Sequence, residues 1–451
     1  MKIPHLFLLG SVLLFVGAIL YDSPYVPPKQ ERQVNITYWE KWTGFEGEAI
    51  KAAIDRFNEK KIRNSKGEVI YCRCMSTTQV DRKAKLAIAG GTPPDLVGLW
   101  SQNTHVFADM NALQPLDPYI ERDGFDMDRY WDVYADGFRH RGQTWCLCTT
   151  PASVALHWNK DLFREAGLDP DRPPRSLEEL EAFADKITKR DSTGRVVRVG
   201  FLPAEPGWWN WAWGYWFGGK LNEGLDTITA DDPKNIEALK WVQRFSTKYG
   251  NPEAMLAFRQ GFGSFDSPQN AFLSGKVGMV LQGVWMHNFI KFNNPHLDYG
   301  CAPFPASFDT QGEEVTVAEM DVIAIPRGAR HPEEAWEVIK YLNSHQGMEY
   351  VCAGQGKLTA FKKNTPGWME TQKHPHLQTF IDLAKSKHAV STPKLAVWME
   401  YRAELTAAFD RVWLHKSTPE EALKTVRERI QPKLDRALEI QRRRRQLEKT
   451  P

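Results

Sequence analysis

The 451-residue sequence lacks an excess of either charge: 58 Lys and Arg stand against 56 Asp and Glu, a formal net charge of +2. A chain so balanced has no cationic field to neutralise phosphates, and nucleic acid is not expected as a partner. It also lacks the HExxH, GxSxG and P-loop patterns that carry metalloprotease, hydrolase and nucleotide chemistry, and no cofactor is expected. Cysteine is scarce, at 6 residues, and none follows the N-terminal apolar run, which argues against a bacterial lipid anchor. Disorder is not the default either, because 42% hydrophobic and 25% charged residues are enough to build two globular lobes with their own cores.

Tryptophan, by contrast, is abundant, with 17 residues, and Gly207 to Gly219 reads GWWNWAWGYWFGG. Neighbouring indoles point in different directions, so some must be buried, and an aromatic core helix is one reading. The other is a cleft wall of flat apolar faces rimmed by N–H donors, which suits a ligand with C–H faces and many hydroxyls, such as a sugar. One indole face that removes roughly 100 Å² from water contributes about 2.5 kcal/mol at about 25 cal/mol per Å².

The N-terminus (MKIPHLFLLGSVLLFVGAILYDSP) has Lys2 followed by an apolar run from Leu6 to Leu20, the pattern of an export signal. Cleavage near Gly17 and Ala18 and retention as a membrane anchor both stay open. Ser23 to Gln33 is Pro-rich and polar, a tether. Export would permit disulfides among Cys72, Cys74, Cys146, Cys148, Cys301 and Cys352, but plain buried thiols fit the spacing equally.

Val34–Trp39 alternates as a strand, and Ala49, Ile50, Ala53, Ile54 and Phe57 then recur at helical spacing. The loop between holds Glu40, Lys41 and Trp42 at a strand's carboxyl end, where open α/β sheets gather ligands. A strand over Val69–Met75, a helix over Val80–Ala89 and a buried strand over Asp95–Trp100 complete a βαβ pattern. Gln143–Asn159 is extended and long enough to cross between lobes. Ser176 with Glu179, and Thr418 with Glu421, form capping boxes that open helices. A helix is also expected to open at Ser267 and Pro268 and to end near Gly275. Val277–Gln282 is a strand leading to Trp285, Cys352–Thr359 is a second crossing segment, and Pro432 should bend the last helix. Arg442–Arg445 reads as a solvated helix end.

Several ordered segments resemble the extracellular solute-binding proteins that serve bacterial ABC importers, the family of maltose-binding protein: ITYWEKW, GGTPPDLV, SVALHWNKDLFREAGL, SLEELEAFADKI, FLSGKVGMVLQGVW, DVIAIPRGARHPEEAWEVIKYL and TPEEALKTVRERI. The resemblance implies an α/β, two-lobed periplasmic-binding-protein fold of type II, with discontinuous lobes around a ligand cleft. The expected layout is a signal peptide or signal anchor at 1–22, a tether at 23–33, lobe 1 at 34–150 and 299–353, lobe 2 at 151–298 and 354–440, and a basic tail at 441–451. It implies first-lobe ligand contacts at Glu40, Lys41, Trp42, Asp95 and Trp100. Second-lobe contacts are implied at Glu205, Trp208, Trp209, Trp285 and Trp398. Within the aromatic stretch Trp208 and Trp209 are the cleft candidates, Trp213, Trp216 and Phe217 the packing residues, and Trp211 is undecided.

The function implied is capture of a mono- or oligosaccharide outside the cytoplasmic membrane by hinge closure, and its delivery to ABC permease subunits, by a monomer. Two other classes stay in view. The same fold could hold a non-sugar solute such as a polyamine or a metal chelate, although iron-binding relatives tend to use adjacent tyrosines and no Tyr-Tyr pair occurs. An exported carbohydrate-active enzyme would also have Trp and carboxylates in a cleft, with Glu40 and Glu205 as the imaginable pair.

Overall fold

The computed structural model describes residues 32–448. The expected signal or anchor at 1–22 and the tether up to residue 31 lie outside the described residues. Among those described, no helix is long and apolar enough to cross a membrane.

The chain opens on β1 (Gln33–Glu40), whose alternation buries Val34, Ile36, Tyr38 and Glu40 on one face. It pairs in parallel with β2 (Val69–Ser76) and β3 (Leu96–Trp100). Two helices provide the crossovers. α1 (Gly44–Glu59) buries Ile50, Ala53, Ile54 and Phe57 at three- and four-residue spacing. α2 (Val80–Ala89) is followed by Gly91, whose φ of +72° is the left-handed conformation that ends helices. β3 runs directly into α3 (Ser101–Asp109).

All 13 residues of β4 (Leu147–Asn159) are buried. Its first half pairs antiparallel with β8 (Thr316–Ala324), and its second half with β6 (Val277–Gly283) and β7 (Tyr299–Ala302). With β5 (Val196–Phe201) beside β6, the path through the ten-stranded sheet runs β2-β1-β3-β8-β4-β6-β5 and ends on Lys189–Arg190. Parallel pairs join β2, β1 and β3 on one side and β6 with β5 on the other, the pairs between them are antiparallel, and Lys189–Arg190 closes the second edge antiparallel to β5.

Two hydrophobic cores flank that middle. One gathers Ile36, Phe57, Leu99, Phe138, Trp336 and Phe380, the other Phe163, Phe201, Trp213, Trp241, Trp398 and Phe409. Within β4, Ala152 packs in the first core and Leu156 in the second; within β8, Val317 packs in the second and Val322 in the first. Both strands therefore cross from one core to the other. The chain also crosses near Gly283, from Leu281 in the second core to Val284 in the first, after Cys301, from the first core to Phe304 in the second, and between Ala384 in the first and Leu395 in the second, so residues 284–298 pack in the first core although the expected bounds place them in lobe 2. Cys352–Thr359 does not cross: Cys352, Leu358 and Ala360 all pack in the first core. Residues 358–384 thus pack apart from the second core, with which the expected boundary at 354 groups them. The reason is that the Gly-rich stretch only turns the chain, at Gly356 (φ +60°), after the helix His345–Gln355.

Both helix starts are capped as expected, although the Glu179 carboxylate takes the Arg175 N–H in place of that of Ser176. Glu179 N–H donates to Ser176 Oγ (3.2 Å), and Thr418 and Glu421 exchange reciprocal bonds of 3.2 Å. The final helix, Pro419–Glu448, continues through Pro432 without a break. Residues 267–275 make turns rather than the expected helix, while Pro252–Gln260 is helical beyond expectation, capped by Asn251.

The aromatic stretch divides. Trp213–Phe217 forms a short 3-10 helix in the second core, where the Trp213 ring lies 5.6 Å from those of Trp216, Trp241 and Phe304. Trp211 packs edge-on against Trp398 at 5.0 Å. Trp208 and Trp209 turn towards the space between the cores.

The six cysteines are all unpaired thiols, five buried and Cys74 partly exposed. Burial pushes the Cys74 and Cys146 thiols up to about 12 and raises the other four as well.

Candidate functional site

Between the two cores lies a cavity of about 460 Å³, within the range of about 300–1,000 Å³ typical of small-molecule sites. Its walls are aromatic: Trp42, Trp100, Trp208, Trp209, Trp285, Phe265 and Phe289. Trp42 follows β1 and Trp100 ends β3, and their rings meet edge to face at 6.1 Å. Trp285 packs against both cores and stacks on Trp209 at 6.3 Å with 29° between planes. Trp208 lies 4.6 Å from Phe265 and is 37% exposed, whereas Trp209 is 4% exposed and its Nε1–H donates to the Leu281 carbonyl at 3.0 Å. One indole is thus a free platform and the other is part of the wall.

The polar groups of the cavity arrive on the crossing strands and their neighbours. Asp321 of β8 is the hub: Oδ2 accepts from Trp42 Nε1–H (2.8 Å) and Thr150 Oγ1–H (2.7 Å), while Oδ1 takes the Lys41 ammonium at 3.1 Å. Lys357 lies 3.4 Å from the same carboxylate and 2.9 Å from Glu46, which sits in the first turn of α1. Burial opposes the charge on Asp321, but Lys41 and Lys357, with the Thr150 and Trp42 hydrogen bonds, outweigh it and hold the carboxyl down at about 2. Burial likewise opposes the Lys357 charge, and Glu46 and Asp321 overcome it and raise its pKa. The Lys41 ammonium also rests 5.3 Å from the Trp42 ring centre and 5.6 Å from that of Trp100, so the network holds the first pair of indoles in place. On the far side Arg402, from the helix Trp398–Trp413, donates to Gln102 Oε1 at 2.6 Å.

Of the residues the sequence singles out, the structure brings Trp42, Trp100, Trp208, Trp209 and Trp285 together around the cavity. The remaining five do not line it. Glu40 is fully buried and accepts from Tyr38 O–H and from the backbone N–H groups of Lys41 and Trp42, so it braces the loop. Lys41 is buried behind the wall in its pairing with Asp321. Asp95 ties β1 to a distant loop, accepting from Thr37 N–H (2.8 Å) and His331 N–H (3.1 Å). Glu205 lies near Arg259 (3.9 Å), and burial pushes its carboxyl up to about 7 with Arg259 opposing. Trp398 is wholly buried at the head of its helix, one turn before Arg402, which faces the cavity instead.

Ser101 and Gln102, which follow Trp100 at the carboxyl end of β3, line the cavity too, whereas Glu46, Thr150, Phe265, Phe289, Glu319, Asp321, Lys357 and Arg402 line it without having been expected from the sequence. Asp321 and Glu319 carry a visible signal, since each interrupts the apolar run TVAEMDVIA of a buried strand, where a charge needs a partner or a purpose.

The family model described as "Bacterial extracellular solute-binding protein" matches residues 52–379. A protein of Brucella abortus (strain 2308), whose name goes no further than binding protein, is 25% identical over 349 residues, 76% of this chain and 80% of that one. The sn-glycerol-3-phosphate-binding periplasmic protein UgpB of Escherichia coli (strain K12) is 22% identical over 446 residues, covering 87% of this chain and 91% of that one. Among solved structures, CpMnBP1 with mannobiose bound aligns with a TM-score of 0.75 at 26% identity, over 88% of this chain and 99% of that chain.

Proposed function

Because the chain belongs to the bacterial extracellular solute-binding protein family, we propose that it is the carbohydrate receptor of an ABC importer, taking a saccharide of about two sugar units between its lobes. The observation that carries this reading is the cavity wall. Five indoles and two phenyl rings enclose about 460 Å³, and a smaller set of polar groups enters on the crossing strands and the helices beside them, an arrangement suited to sugar rings that stack by their C–H faces and hydrogen-bond at their rims. A structural neighbour at 26% identity holds mannobiose, which supports the same ligand class.

The lobes follow the cores, with the crossing segments as the hinge, and a ligand that touches both lobes favours closure by its differential affinity for the closed state. The closed form then delivers the sugar to the permease. The protein works outside the cytoplasmic membrane as a monomer, sent there by the N-terminal apolar run, which is then either cleaved or kept as an anchor. We read the protein as a receptor and not as an enzyme, supported by Glu40 and Glu205, the imagined catalytic pair, both lying outside the cavity wall.

The test is a thermal-shift screen of the purified protein with mannobiose, maltose, cellobiose and their monosaccharides, beside spermidine and glycerol 3-phosphate. A ligand at 100 times its Kd stabilises by about 2.7 kcal/mol, a shift of several degrees. A response to spermidine or glycerol 3-phosphate and to no saccharide would sink the reading, and hydrolysis of a bound disaccharide would make the protein an enzyme.

A further inference from the structure

Every charged group in the cavity wall has a hydrogen-bonding partner except one. Glu46 holds Lys357, Asp321 holds both lysines, and Arg402 is engaged by Gln102. Glu319 has neither a hydrogen bond nor an ion pair among the described residues. It sits on β8 in register with Ala152 of β4, two residues from Asp321 and therefore on the same face. It is also the only residue of that strand that is not fully buried, and the space it opens onto is the cavity.

A carboxylate open to the cavity and set among aromatic rings gains a charge-assisted hydrogen bond from any donor that enters beside it. The nearest cation, Arg402, acts on it only at range, and Asp321 adds a second negative charge from the same strand. Since the two lysines are already spent on Glu46 and Asp321, the ligand-facing surface keeps an uncompensated acceptor. Burial raises the Glu319 carboxyl, as expected for a group awaiting a donor.

We propose that Glu319 is the specificity-determining residue of the cavity: its two oxygens take hydroxyl donors of an uncharged saccharide, and its charge bars phosphorylated and acidic sugars of the same size. This rests on the carbohydrate-receptor reading and narrows it to neutral glycans. It also sets the chain apart from what the name of its glycerol-phosphate-binding relative implies, since a phosphate dianion would meet Glu319 and Asp321 with Arg402, held by the neutral Gln102, as the one cation of the wall not paired to a carboxylate.

The experiment is isothermal titration calorimetry of the wild-type protein and of E319Q at pH 7.5, with mannobiose, maltose and cellobiose, each beside a counterpart of the same size carrying a uronic acid or a phosphate ester. In the wild type the best uncharged disaccharide should bind at least ~100-fold more tightly than its anionic counterpart. In E319Q the uncharged ligand should lose about 10- to 100-fold, the effect of removing charge-assisted hydrogen bonds, and the preference over the anion should shrink to about tenfold or less. Thermal unfolding of both proteins confirms that E319Q is folded. An anionic saccharide bound as tightly as its uncharged counterpart, or an E319Q affinity within twofold of wild type, overturns the role of Glu319 and leaves the receptor reading standing. The absence of binding by any saccharide, charged or not, overturns the receptor reading itself.

Discussion

Replacing Trp208 and Trp209 by alanine, one at a time, should separate a ligand platform from the wall that supports it, although the two residues are adjacent. Trp208 is 37% exposed and touches Phe265 and Trp285 only at ring distances of 4.6 and 6.2 Å. If a bound sugar covers roughly 100 Å² of its face, W208A forfeits about 2.5 kcal/mol of binding, a rise in Kd of about 60-fold. Its free side leaves the folded protein little to lose, so Tm should fall by no more than a few degrees. Trp209 is only 4% exposed, packs in the second core and donates to the Leu281 carbonyl. W209A should therefore cost about 3–5 kcal/mol of stability, a Tm drop on the order of 10 °C. It should also weaken binding, because Trp285 loses the ring it stacks on. Calorimetric titration with the best saccharide and differential scanning calorimetry, run on both variants, give the four numbers required. A W208A protein that binds within threefold of wild type, or that unfolds as early as W209A, would refute the division.

Three further predictions follow from the ionisable groups. Asp321 is held at about 2 against an ordinary 3.8, so it contributes roughly 2 kcal/mol of stability that is present above pH 4 and lost as pH falls through 2. In urea unfolding D321N should be clearly less stable than wild type at pH 6, and the gap should narrow towards pH 2; a constant gap would mean the carboxylate charge is not what counts. Glu205 runs the other way: its folded carboxyl is raised to about 7, so the stability it allows is intact below about pH 4.5 and declines as pH rises through 7. E205Q should match wild type at pH 4.5 and exceed it at pH 8.5 by at most about 3 kcal/mol, with saccharide affinity unchanged, whereas equal stability at pH 8.5 would place the residue in water. The six thiols, buried or partly so and raised by burial, should resist iodoacetamide in the native protein at pH 8 and all react in guanidinium, as counted by intact mass; rapid native labelling of more than Cys74 would contradict their burial.

The framework was legible because local chemistry and global fold agree. The alternation of VNITYW, the glycines after Ala89 and the Ser176 and Thr418 caps each dictate what the structure contains. The tryptophans of the cavity were legible for a different reason: Trp42, Trp100 and Trp285 each follow the carboxyl end of a strand, where the topology opens a crevice. Misreadings arose where one residue type serves two ends. Glu40 has the charge and position of a ligand contact, but as the last inward residue of β1 it is spent on the Tyr38 hydroxyl and two backbone amides. Trp398 is as aromatic as the platforms, yet it is packed in the second core against Trp211 and Tyr401, and it is the longer Arg402 side chain, one turn on, that reaches the cavity.

The polar half of the site was hidden because it is assembled from positions that only the crossings bring together. Thr150 and Asp321 are 171 residues apart and meet at 2.7 Å on neighbouring antiparallel strands, and no spacing rule connects them. Their location has a mechanical consequence. Thr150, Glu319 and Asp321 lie on β4 and β8, the strands that pass between the cores, whereas Trp42, Trp100 and Trp208 stand on the lobes to either side. A rotation about the crossings moves the indoles far more than it moves groups near the axis. Polar contacts on the crossing strands can therefore form with a ligand before the lobes close, and the stacking area grows as they do. On the proposed receptor reading, stereochemistry and charge are then selected at the axis and the tryptophans supply the free energy that favours the closed state, so truncating Trp208 should weaken closure-linked affinity while replacing Glu319 should alter which sugars are admitted.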